Sequence, residues 1–165
     1  IIMTKKSSDQ LIELIQQLEH ISGQLNSTLK KEQAVLKLKD SQQLLELSDE
    51  KKALVTHLEN HTKTTHIFLR NMNINKGLYG FSDALSSLAP GGIKTLLEKA
   101  WSNIQALAED NKELNQINGS IIELNRRHTQ RSLDVLRGQA STTTSTYGAD
   151  GHAANSKVSR NISIA

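Results

Sequence analysis

The chain has 165 residues, which is enough for one domain with a hydrophobic core and short for two. Its composition, 36% hydrophobic and 3% aromatic with a single proline, favours long helices over a compact mixed fold. The lack of cysteine excludes disulfides, thiolate metal sites and a cysteine nucleophile. The net charge of +3 is interleaved along the chain rather than pooled in the basic stripe typical of nucleic-acid binding.

The first periodic segment predicts a long amphipathic helix over about residues 7–38. Ser7, Ser8 and Asp9 offer N-cap side chains before it. Its first apolar residues are spaced alternately three and four apart: Leu11, Leu14, Leu18, Ile21 and Leu25. The apolar stripe then shifts by one position to a neighbouring set, Ile15, Leu29 and Leu36. A straight helix drifts in this direction against a 3.5-residue repeat.

A second long helix is predicted over about residues 41–71, with Asp40 as its capping residue. Its heptad stripe holds Leu44, Leu47, Lys51, Leu54, Leu58, His61, Thr65, Phe68 and Met72. Because the link to the first helix is only a few residues long, the two helices should form an antiparallel hairpin.

The connection over residues 73–92 is rich in glycine and holds the one proline, and it predicts a short helix over about residues 82–89. Four of the five aromatic residues fall in or beside it, namely Phe68, Tyr79, Phe81 and Trp101. We expect them to cluster where the connection packs across the helix ends. The alternative is an exposed aromatic patch for a partner.

The third long helix is predicted over about residues 93–137, with Gly138 as its C-terminal capping residue. The fold class is therefore all-α: an elongated antiparallel bundle or coiled coil of three long helices with a short connecting helix. We expect a helical bundle domain over residues 1–138.

The stretch NQINGSIIELN, residues 115–125, joins a turn-forming Asn-Gly pair to helical spacing of leucine and isoleucine. We interpret it as continuous helix, because a turn would leave the following apolar residues on no continuing face. Asn111, Asn118 and Asn125 recur every seven residues and, with Gly119, predict a polar seam that sets helix register. We expect Asn118 to hydrogen-bond to the first or second helix, and a close neighbouring helix to explain Gly119.

Residues 139–165 are dominated by Ser, Thr, Ala, Gly and Asn and have almost nothing to bury. Such a segment cannot offset its own ordering entropy, so we predict a flexible, disordered tail. Its lone aromatic residue, Tyr147, is either incidental or the anchor of a short docking motif.

The histidines are the strongest candidates for chemistry. His57 and His61 lie four residues apart on one helix face, and His66 follows. The zinc-protease pattern needs Glu directly after the first His, where Leu58 stands, so a hydrogen-bonded interhelix His61 is the plainer interpretation. With no phosphate loop or nucleophile elbow either, we predict no enzyme, no metal and no cofactor.

The end of the third helix is the strongest candidate for binding. The stripe turns polar at Asn125, His128 and Ser132. Leu133 and Leu136 nevertheless keep an amphipathic face without an evident partner in the chain. An apolar helix end is a plausible docking element for another helix. The nearby arginines (Arg126, Arg127, Arg131 and Arg137) favour the helix dipole rather than nucleic acid.

Taken in order, several segments make the chain similar to the FlgN family of flagellar type III export chaperones, from Leu11 to about Gly151. They are "LKKEQAVLKLKD", "LLELSDEKKALVTHLE", Trp101 early in the last long helix, "NQINGSII", "LDVLRG" and the tail motif "TYGADG". The chain departs from the family pattern in its Ser/Thr-rich spacer, residues 141–146, and in its connection of some 20 residues between the second and third long helices.

The resemblance implies a cytoplasmic chaperone that binds the hook–filament junction proteins FlgK and FlgL, prevents their premature assembly and delivers them to the export gate. It implies cargo binding at Leu133, Val135 and Leu136, and docking of Tyr147 to the export-gate component FlhA. The interleaved charge and the lack of an apolar run of membrane-spanning length lead us to expect no nucleic-acid binding and no membrane insertion. The alternative function is a generic coiled-coil scaffold or oligomeric adaptor, in which the apolar stripes would pair between chains.

Overall fold

A computed structural model describes residues 4–74, 76–88 and 91–138. Its helices are α1 (Lys5–Leu38), α2 (Ser41–Asn71), α3 (Phe81–Leu88) and α4 (Gly91–Leu136), with a 3-10 turn over Gly77–Gly80. The described ranges contain no strand, so the all-α prediction is confirmed. The predicted ends of the long helices differ from these by at most two residues.

Local chemistry accounts for where these helices begin and end. Asp40 caps α2 as predicted, since its Oδ1 accepts from the backbone N–H groups of Gln42 and Gln43, each at 3.1 Å. Thr4, rather than Ser7 or Ser8, caps α1 through a 3.3 Å hydrogen bond from the Ser7 N–H. Gly138 follows α4 with φ +67°, the left-handed conformation that glycine adopts without strain.

The chain divides into two compact units, residues 1–119 and 120–165, so α4 contributes residues to both. In the first unit α2 runs antiparallel to α1: Glu32 pairs with Lys51, while Leu11 and Leu69 share a core at the opposite ends. Helix α4 runs parallel to α1, because its contacts advance together with those of α1, from Glu19–Asn103 to Leu29–Asn118. The α1–α2 hairpin prediction is confirmed.

The main core lies where the connection meets the start of α1. Its buried residues come from every helix: Leu11, Ile15, Leu18, Leu69, Ile74, Phe81, Leu85, Leu97, Ala100 and Ile104. Phe68 and Trp101 pack against it, and the rings of Phe81 and Trp101 meet edge to face with centroids 5.2 Å apart. Three of the four aromatic residues therefore form core packing rather than an exposed patch, and the side chain of Tyr79 lies outside the described residues.

The apolar stripe predicted for α1 is buried throughout, from Leu11 to Leu36. Along α4 the buried residues recur at helical spacing and end at Asn118: Leu97, Ala100, Ile104, Asn111, Leu114 and Asn118. Leu107, Ile121 and Asn125 are half-buried, and His128, Ser132 and Val135 are exposed. The second unit is described over residues 120–138, where α4 ends at Leu136.

Candidate functional site

The α1–α4 interface holds a row of buried amides. Asn111 donates to the backbone carbonyl of Ser22 at 3.1 Å and accepts from Asn26 Nδ2 at 2.9 Å. The same Asn26 nitrogen donates to Asp110 Oδ2 at 2.7 Å. Because these amides have partners across the interface, a shift of α4 along α1 would leave them buried and unpaired.

Asn118 lies at the centre of a second buried group. It is fully buried, and its Nδ2 donates to the Leu29 carbonyl at 2.9 Å and to Glu32 Oε2 at 2.8 Å. Residues 115–125 are helical throughout. The predicted continuous helix and the predicted hydrogen bond from Asn118 to the first helix are both confirmed.

Glu32 joins Asn118 to α2. The Glu32 side chain is 3% exposed, and its Oε1 accepts from Lys51 Nζ at 2.7 Å. We call these three residues the Glu32–Lys51–Asn118 cluster. It connects α1, α2 and α4 at one level of the first unit, beside a 2.8 Å hydrogen bond from Thr28 to Glu50.

The other two members of the predicted seam behave differently. Asn125 is half-buried in the second unit, where its backbone carbonyl accepts from Thr129 at 3.1 Å. A Cβ added at Gly119 would meet nothing within 4 Å. The explanation of Gly119 by a closely approaching helix is therefore wrong, because the residue faces open space.

The predicted cargo residues at the end of α4 are exposed, Leu133 by 38%, Val135 by 72% and Leu136 by 82%. They do not form one face. At about 100° per residue, Leu136 lies roughly 60° from Leu133, whereas Val135 lies roughly 160° from it. Leu133 and Leu136 share their side of the helix with Ile122, while Val135 shares the other side with Leu124, and both of these additional residues are exposed.

An exposed charge cluster lies about two to three turns before Leu133 on the same helix. Glu123 accepts from Arg126 at 2.9 and 3.0 Å and from Arg127 at 3.1 Å. Hydrogen bonds from Arg126 and then Arg127 lower the pKa of Glu123 from its ordinary 4.5 to about 2, and Glu123 in turn raises the pKa of Arg126. Two of the four arginines thus have an internal counter-ion, which weakens the interpretation of this region as a basic stripe.

The histidines form no metal site in the part of the chain that the structure describes, where no group of three or more His, Asp or Glu side chains could hold an ion. The rings of His57 and His61 lie 5.6 Å apart. His61 Nδ1 is buried and has no hydrogen-bond partner among the described residues, so the expected interhelix hydrogen bond is not formed by this atom. His66 instead packs over Gly77, where an added Cβ would collide with its ring.

Tyr147 and the predicted tail, residues 139–165, lie outside the described residues. No helix within the described ranges is long and apolar enough to cross a membrane.

Sequence reasoning missed Asn26, Thr28 and Glu32. A signal for the last two was present, because continuing the three-and-four spacing past Leu25 leads to Thr28, Glu32 and Val35, all of which are buried. Because Thr28 and Glu32 are polar, the apolar stripe of the first helix was assigned to neighbouring positions such as Leu29 and Leu36 instead.

Comparison with known proteins gives one family. The chain matches the family model described as FlgN protein over residues 3–155. Neither the curated proteins nor the solved structures gave a match. The match covers both units and confirms the resemblance deduced from the sequence.

Proposed function

Because the chain belongs to the FlgN family, whose members are flagellar export chaperones, we propose that it chaperones the hook–filament junction proteins FlgK and FlgL. It binds them in the cytoplasm, prevents their premature assembly and delivers them to the export gate. The observation that carries the proposal is the pair of exposed leucines, Leu133 and Leu136, on one face of the end of α4. Such a function requires binding surfaces and no catalytic residue.

The leucine pair supports cargo binding through ordinary hydrophobic burial. An amphipathic cargo helix that covered Leu133 and Leu136 would remove most of their exposed surface from water. From their exposures of 38% and 82%, this burial contributes about 2–3 kcal/mol. That is roughly a 30- to 150-fold effect on Kd, which makes the pair a measurable share of the interaction.

The resemblance assigned Val135 to the same site, but its position on the helix makes a shared contact with Leu133 difficult for one cargo helix. A single docked helix covers one side of its partner, and Val135 lies roughly 160° from Leu133. We therefore propose that Leu133 and Leu136 bind the cargo helix and that Val135 lies outside this contact.

The test measures FlgK and FlgL binding to the full chain by isothermal titration calorimetry. Leu133→Asp with Leu136→Asp should weaken binding at least about 30-fold, with thermal unfolding unchanged, because both side chains are exposed. Val135→Asp is the control, since it adds a charge to an exposed apolar position on the other side of the same helix. Equal losses from the control and the double variant would refute the assignment, and normal binding by the double variant would remove the site.

Gate docking is proposed for Tyr147, which stands in the tail motif "TYGADG". Tyrosine supplies a large rigid contact with a polar tip, which suits a short motif in a segment of low hydrophobicity. We expect Tyr147→Ala to abolish FlhA binding in a pull-down while leaving FlgK binding intact. Loss of both activities would instead assign the tail to cargo.

A generic coiled-coil scaffold is the competing function. In the first unit the α1 stripe is already buried against α2 and α4 of the same chain, which leaves it unavailable for a second chain. Sedimentation equilibrium should therefore give a monomer mass. A stable dimer whose helicity falls on dilution would favour the scaffold.

A further inference from the structure

An open groove runs between α2 and α4 in the first unit, and none of the residues proposed for cargo or gate binding is among those that line it. It has a volume of about 660 Å³. Its floor is formed by Ser22, Leu25 and Leu29 of α1, and its walls include Val55 and Leu58 of α2 and Ala108 of α4. The floor residues are at most 7% exposed, so the accessible apolar surface of the groove lies on its walls, where Val55 is 38% exposed and Leu58 is half-buried.

The charges on the groove's walls specify what it can hold. Lys52 of α2 and Lys112 of α4 line opposite walls, and both are exposed. Within the ranges that the structure describes, neither ammonium group forms an ion pair, whereas the neighbouring Lys51 forms one with Glu32. Among the described residues that line the groove, Glu59 is the one carboxylate, and it lies about 10 Å from Lys52 along α2.

We propose that this groove binds an amphipathic helix of a partner protein whose apolar stripe is flanked by acidic residues. Leucine or isoleucine side chains of that helix pack on Val55, Leu58 and Ala108 of the two walls, in the manner of a helix lying between two others. Acidic side chains on its two flanks reach Lys52 and Lys112. The chain's own residues 139–165 fit poorly, since Lys157 and Arg160 accompany their few apolar residues.

The test uses two synthetic peptides of about 21 residues with leucine on the same heptad positions, flanked in one by glutamate and in the other by lysine. Fluorescence anisotropy with the full chain should show the glutamate-flanked peptide binding at least about tenfold more tightly. Lys52→Glu with Lys112→Glu should reverse this preference. The control variant, Lys63→Glu with Lys99→Glu, makes the same change of charge on the same two helices but outside the groove. It should keep the preference for the glutamate-flanked peptide.

Filling the groove provides the second arm. Ala108→Trp should weaken the glutamate-flanked peptide at least about tenfold, while Ala106→Trp, also exposed on α4 but not in the groove, should leave it unchanged. Thr56→Trp blocks the groove from the opposite wall. It replaces Ala108→Trp in this test if Ala108→Trp lowers the thermal unfolding temperature.

Three results would overturn the proposal. The first is equal binding of the two peptides, or none. The second is equal binding by the Ala106 and Ala108 variants. The third is a dimer of the chain that Ala108→Trp dissociates and Ala106→Trp does not, which would make the groove a contact between copies. Leu133→Asp with Leu136→Asp should leave peptide binding unchanged, so this proposal stands or fails independently of the cargo site.

Discussion

The Glu32–Lys51–Asn118 cluster makes a sharp prediction about stability. Lys51→Met removes the cation from a carboxylate that is almost fully buried, because the Glu32 side chain is 3% exposed. Among the described side chains, Glu32 then keeps the Asn118 amide, at 2.8 Å, as its hydrogen-bond donor. Glu32 must therefore remain charged without a counter-ion, take up a proton, or draw water into the interface.

Breaking a fully buried ion pair in this way costs about 3–5 kcal/mol. The Lys51 side chain is 24% exposed, so solvent already screens part of the interaction and can reach the vacated space. We therefore expect Lys51→Met to lower the free energy of unfolding by about 2–4 kcal/mol. The double variant Glu32→Met with Lys51→Met removes both charges, and it should lie within about 1 kcal/mol of the natural chain, because Asn118 still donates to Leu29.

Urea unfolding followed by circular dichroism at pH 7 measures these differences. Lys52→Met is the control, since it changes the adjacent, exposed lysine, and it should alter stability by less than about 0.5 kcal/mol. If Lys51→Met costs no more than Lys52→Met, the buried carboxylate does not depend on its cation and the reasoning is refuted. A double variant as unstable as Lys51→Met would show that the loss comes from packing rather than charge.

Three further predictions concern the backbone and pH. Gly119→Ala should stabilise the chain by about 0.5–1 kcal/mol in the same urea assay, because an added Cβ meets open space and alanine favours helix, and a loss of stability would mean that the glycine has a packing partner. Gly77→Ala should destabilise it by about 1–2 kcal/mol, since φ is +54° and the Cβ would displace the His66 ring; unchanged stability would show that this turn relaxes freely. The ion pairs of Glu123, whose pKa is lowered to about 2, stabilise the end of α4 fully above about pH 4.5 and progressively less as the pH falls through 2. In the natural chain, amide exchange over residues 120–136, measured relative to its intrinsic rate, should accelerate as the pH falls through that window. The Glu123→Gln variant should show no such acceleration, and identical pH profiles for the two proteins would contradict this prediction.

The helices could be predicted from the sequence because their signals are local. The Asp40 side chain reaches N–H groups two and three residues away, and Gly138 relieves strain at its own position. Apolar periodicity likewise marks the buried side of α1 without reference to its neighbours. The same reasoning showed that residues 115–125 are helix despite the Asn-Gly pair.

The polar interior could be predicted only in part. The heptad placed Asn111, Asn118 and Lys51 on inward sides, but Asn26 and Glu32 have polar side chains that ordinarily indicate a solvated surface. Their burial depends on partners more than ten residues away in sequence, namely Asp110, Asn111, Lys51 and Asn118. Such pairing is invisible until the relative register of the helices is known.

The residues proposed to bind cargo show a similar division. The sequence marks Leu133, Val135 and Leu136 as apolar and close together in the chain, while the turn of the helix separates Val135 from the other two. The groove between α2 and α4 has no local signature, because its floor and walls come from three helices that meet only in the folded unit.

By itself the sequence determined the helices, their ends, the hairpin of α1 and α2, and the family to which the chain belongs, since these depend on spacing and on capping within a few residues. Only the tertiary structure decided that α4 runs parallel to α1, that Glu32 is buried beside Lys51 and Asn118, that Gly119 faces open space, and that α2 and α4 leave a groove between them. The physical reason is that burial and charge pairing belong to the arrangement of several helices. A side chain's environment is therefore set by residues that its own neighbourhood in the chain does not contain.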